Sequence, residues 1–138
     1  MNSEVVLYII AISFGLLGLI HYIFPKIVMK YSIEADLLNA DVAVKMSGAL
    51  LIASSIMLFT DKYWDYAFYG LCGFLVISSL IMHRFWTRNT GLEQLTELLH
   101  FVKNILLAVL LWYLKLKLFG NRFDKLFQLI PWPVESFP

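Results

Sequence analysis

The run VVLYIIAISFGLLGLIHYIF, residues 5–24, carries no formal charge, and 13 of its 20 residues are Val, Leu, Ile or Phe. Each of those contributes roughly −0.3 to −0.6 kcal/mol of insertion free energy near the centre of a bilayer helix. Together they outweigh Ser13 and His21, and about 20 apolar residues suffice for one helical crossing. A cleaved leader is the competing reading; it calls for a basic start, a shorter apolar stretch and a small-residue cleavage site. Residues 1–4 hold no Lys or Arg, and no small-x-small site follows Phe24. The run is therefore read as a transmembrane helix of the mature chain.

The whole chain extends this pattern. Of its 138 residues 60% are hydrophobic and 15% charged, with a mean hydropathy of +0.74 and a net charge of +1. Soluble domains run at roughly 45–50% apolar and 25% charged, so the composition argues against a water-soluble globule. The length admits four or five crossings at most. A net charge near zero gives no nucleic-acid footprint, and the single Cys72 cannot close a disulfide or a Cys-x-x-Cys redox pair within one chain.

Three further spans follow. Residues 46–60 are uncharged, and a snorkelling Lys45 extends them to a helix over about 42–60. Ala43, Ser47 and Ser55 recur there at multiples of four, a spacing that lets another helix approach closely. Residues 66–84 form the third span, and the short connection 61–65 forces an antiparallel hairpin with the second. In the fourth, Glu97 and Lys115 bracket a stretch interrupted by His100, Lys103 and Asn104. A helix over about 95–119, with Lys115 and Lys117 snorkelling at its far end, puts Lys103 roughly 12 Å from its start, inside the membrane edge.

Residues 25–41 read as a connection of mixed charge, and Asn89 and Gly91 break the chain before the fourth span. Beyond the bundle of residues 1–119, the segment 120–138 reads as a separate tail. Asn121 is a good N-cap there, and Phe123, Leu126, Phe127 and Ile130 repeat at helical spacing until Pro131, Trp132 and Pro133. The predicted fold is all-α: an integral membrane four-helix bundle with a short amphipathic segment. That segment lies in the headgroup layer or docks a neighbouring subunit through Phe123, Phe127 and Trp132.

Four antiparallel spans gather His21, Lys45, His83, Arg84, His100, Lys103 and Asn104 on one side of the membrane, including all three histidines. The opposite end offers no comparable group near the interior. Six Lys and Arg on the histidine side against five on the other leave the orientation open.

The stretch Gly18-Leu-Ile-His21-Tyr-Ile-Phe-Pro25, the Ser47-Gly48 pair, His83-Arg84-Phe85-Trp86 and Phe101-Val-Lys103-Asn104 resemble the DoxX and DoxX-like family of small four-helix membrane proteins. Order and spacing match from about Glu4 to Leu118. One departure stands out: family members often carry a Glu shortly after the Ser-Gly pair, where this chain has Leu50, Leu51 and Ile52. The resemblance implies a bacterial inner-membrane protein associated with quinone-linked oxidoreductases, the setting from which the family takes its name.

Two functions are carried forward. The first is a non-catalytic accessory subunit of a larger redox, respiratory or photosynthetic membrane complex, its partners being the bilayer and other membrane subunits. It needs no catalytic residue, metal or cofactor of its own. The second is a quinone-linked or small-molecule-binding protein, with quinone or lipid as ligand and a polar site at the histidine end. Its candidate residues are His21, His83, Arg84, Trp86, His100, Lys103 and Asn104. Intramembrane charges often mark such sites. On the structural alternative, His21 and His83 hydrogen-bond across helices, His100 sits in the interface, Lys103 caps the third helix or snorkels outward, and Cys72 is a small packing residue.

Overall fold

The computed structural model describes the backbone of residues 3–34, 37–60 and 63–129, with side chains over 4–34, 37–60 and 63–120. The described chain folds into α1 (Ser3–Ile23), α2 (Pro25–Glu34), α3 (Ala40–Leu58), α4 (Trp64–Met82) and α5 (Gly91–Leu129), and holds no strand. A short 3₁₀ turn, Phe85–Thr87, joins α4 to α5. Helices α1, α3, α4 and α5 are long and apolar enough to cross a membrane, so the protein is an all-α four-helix membrane bundle. The first three expected spans lie within two residues of α1, α3 and α4 at both ends.

Two expectations need correction. The connection 25–41 contains a helix, because Pro25 fits the first helical position, where its missing N–H is not needed. The Phe24 carbonyl accepts the Ile27 and Val28 N–H groups, and Lys30 reaches Glu34 at 3.9 Å one turn on. Asn39, at φ 60°, then turns the chain into α3; a short polar side chain tolerates that left-handed conformation.

The fourth span is also longer than expected. Thr90 starts it, its hydroxyl accepting the Glu93 N–H at 3.3 Å and its carbonyl the Gln94 N–H. At the other end α5 runs unbroken through Gly120 and Asn121, so Asn121 does not cap a separate helix. No described glycine has a positive φ; a helical Gly costs about 1 kcal/mol, too little to stop a helix by itself. The expected docking residues Phe123, Phe127 and Trp132 lie outside the residues whose side chains are described.

Small residues set the packing. A Cβ on Gly18 would come within 3.0 Å of the Gly48 carbonyl oxygen, and one on Gly48 within 2.8 Å of His21 and Tyr22 side-chain carbons. Antiparallel α1 and α3 therefore touch backbone to backbone. Ser55 donates to the Ala11 carbonyl and Tyr22 to that of Lys45. The close approach runs through Gly48 and Ser55, whereas Ser47 folds back onto the Val44 carbonyl.

Helix α4 then packs Gly70 on Ser54 of α3, and Cys72 Sγ lies 3.5 Å from the Ala108 carbonyl of α5. A single core, with Leu7, Leu51, Phe68, Leu71 and Leu111 among its members, runs through all four spans. Contacts follow the order α1, α3, α4, α5, and α1 and α5 meet no more than marginally.

Candidate functional site

The histidine end is built where α4 stops. His83 closes that helix by donating its N–H to the Ser79 carbonyl, then turns out of the helical region at φ −109° and ψ 57°. This aims its ring at the first turns of α5. Nδ1 lies 2.9 Å from Glu97 Oε2, and Arg88 Nη2 lies 3.4 Å from Glu97 Oε1. All three side chains are partly buried.

His100, one turn beyond Glu97, stacks on His83 with centroids 5.2 Å apart. Phe85, Trp86 and Phe101 meet edge to face alongside, at 5.0 to 6.3 Å. Arg84 lies in the same turn, half-buried, and Trp86 is exposed at the rim. These contacts tie the end of α4, the 3₁₀ turn and the start of α5 into one unit.

The other candidates lie elsewhere. His21 is buried, and its Nδ1 lies 2.8 Å from the Leu17 carbonyl of its own helix, so the expected cross-helix bond is not made. Its ring stands edge-on to Phe74 of α4. His100 is exposed, and Lys103 is exposed on the outer face of α5 beside a half-buried Asn104. Among the described residues no hydrogen bond, ion pair or ring contact joins His21 or Lys103 to the His83 cluster. The structure thus brings together His83, His100, Arg84 and Trp86, with Glu97 and Arg88 as additional members.

The opposite end overturns an expectation. Lys115 does not snorkel out; it is 8% exposed, with Nζ 3.0 Å from both Asp65 Oδ1 and the Tyr69 hydroxyl. The ammonium also lies 4.2 Å from the centre of the Tyr69 ring and 5.0 Å from that of Trp112. The cause is geometric: helical side chains lean toward the N-terminus, and near the C-terminal end of a span that direction points into the membrane. Asp65 and Tyr69, one turn apart on α4, meet the charge there. A comparable polar group near the interior does exist at this end.

Among the described residues no three His, Cys, Asp or Glu side chains converge as a metal site. No protein-family model matches the chain, and no curated protein or solved structure matches it.

Proposed function

We propose that the protein is a non-catalytic, DoxX-like accessory subunit of a larger redox, respiratory or photosynthetic complex in a bacterial cytoplasmic membrane. One observation carries this reading: the buried Lys115 and the partly buried His83, Arg88 and Glu97 are all engaged in ion pairs or hydrogen bonds that join α4 and the following turn to α5. Glu97 is shared by His83 and Arg88 at one end, and Lys115 by Asp65 and Tyr69 at the other. Neither the open groove on α5 around Lys103 nor the small cavity beside Leu7, Leu58 and Trp64 includes any of these six side chains. Groups arranged this way hold two helices in register.

Helix α5 adds a means of attachment. Phe119 packs against Trp64 at the start of α4, and α5 continues from there to Leu129, about 15 Å at 1.5 Å per residue. The bundle thus carries an arm beyond its own packed length.

The test is affinity purification of the tagged full chain in mild detergent, followed by mass spectrometry, alongside a deletion of residues 121–138. Membrane subunits should accompany the full chain and be absent from the deletion, which still inserts as four spans. Recovery of the 16.0 kDa full chain with no membrane subunit beside it would sink the proposal. A stoichiometric quinone that disappears in His83→Ala would put the ligand-binding function in its place.

A further inference from the structure

The outer face of α5 bears an open groove of about 430 Å³ lined by Leu99, Val102, Lys103, Leu106, Leu107 and Leu110. Its length along the helix is about 16 Å, roughly half of a 30 Å hydrocarbon core and so about one leaflet deep. Lys103 is the charged residue in this lining, and among the described residues it makes no hydrogen bond or ion pair. Glu97 is already held by His83 and Arg88, and Glu93 lies about 15 Å away along the axis.

Lys103 is the thirteenth residue of α5, in the N-terminal half of its span, where the lean of helical side chains carries the ammonium over Leu99 and toward the nearer headgroups. The result is a cation in the N-terminal part of an open, one-leaflet apolar groove. Its complement is an amphiphile with an anionic head and a hydrocarbon chain.

Two observations favour a lipid over a second helix. The α1–α3 and α3–α4 contacts rest on small residues, Gly18 on Gly48, Gly15 on Ser55 and Gly70 on Ser54, as is usual in membranes. The groove has only Leu and Val beside its lysine. A lipid phosphate already resides at the leaflet edge, the level toward which the ammonium leans. We propose that this groove binds an anionic phospholipid, its phosphate on Lys103 Nζ and one acyl chain along Leu106 and Leu110.

The experiment is native mass spectrometry of the purified full chain released from nanodiscs of equal parts phosphatidylglycerol and phosphatidylcholine. The wild-type protein should retain phosphatidylglycerol in about fivefold excess, the ratio expected for one lysine at a membrane surface. Lys103→Met should bring the ratio to that of the input, while Lys103→Arg and Lys117→Met keep it. Equal retention by the wild type, or an unchanged excess in Lys103→Met, would overturn the proposal. So would a co-purifying protein, rather than a lipid, that is lost in Lys103→Met.

Discussion

Lys103 and Lys115 lie on the same helix twelve residues apart, yet one faces outward and the other is buried against Asp65 and Tyr69. The difference is positional. The same backward lean carries a lysine in the first half of a span toward the nearer headgroups and confines one near the far end. Asp65→Asn leaves the confined ammonium with Tyr69 alone, whereas Lys115→Met removes the charge and keeps much of the volume. Losing one partner of a buried pair costs about 3–5 kcal/mol. Asp65 is 63% exposed, so water reduces this to about 1–2 kcal/mol. Lys115→Met should stay within about 1 kcal/mol of wild type, since the carboxylate it leaves behind, Asp65, is mostly exposed and keeps its hydration. Chemical unfolding in detergent ranks the two, and a larger loss in Lys115→Met would contradict this account.

The sequence signals for these residues were present but indirect. Asp65 and Tyr69 stand one turn apart, and only the alignment of α4 with α5 shows that Lys115 falls between them. Glu97 is hidden for a related reason: its partners His83 and Arg88 arrive from the preceding turn and not from its own helix. The gathering of polar groups at one end follows from four alternating spans; which of them touch depends on side-chain direction, which hydropathy does not encode.

At the scale of elements, α1 and α3 depend on the absence of Cβ atoms where they cross. Gly18→Ala and Gly48→Ala each force a contact of 2.8 Å on a neighbouring side chain and press on the opposing helix backbone, and overpacking of this kind costs about 1–3 kcal/mol. A Cβ at Gly73 meets nothing within 4 Å, so Gly73→Ala should gain up to about 1 kcal/mol from helix propensity alone. Thermal unfolding of the three variants in one detergent should separate them in that order.

Span positions were legible because uncharged runs of sufficient length admit few alternatives in a membrane. Helix α2 was not, since Lys26, Lys30 and Glu34 resemble a solvated loop until Pro25 is read as a helix start. The far end of α5 was misread because Gly120 followed by Asn121 looks like a stop and a new cap, although both fit a continuing helix.

Taken whole, the molecule is two differently joined pairs sharing the α3–α4 contact. Helices α1 and α3 meet through close backbone approach and neutral hydrogen bonds, and α4 and α5 through charged groups at both ends. The pinned pair is the one that extends past the bundle.

Because α5 is continuous, the compass bearing of its far end is locked to the bundle by helical phase. Each residue added after Gly120 turns everything beyond it by about 100° and advances it 1.5 Å. Two inserted alanines would swing the arm to nearly the opposite side, whereas seven restore its bearing to within about 20° while moving it roughly 10 Å outward. Partner retention by affinity purification should fail with two and recover with seven if the arm is recognised by the direction it faces. Equal retention in both would mean that composition alone is recognised, and that the rigid connection through Gly120 conveys no bearing.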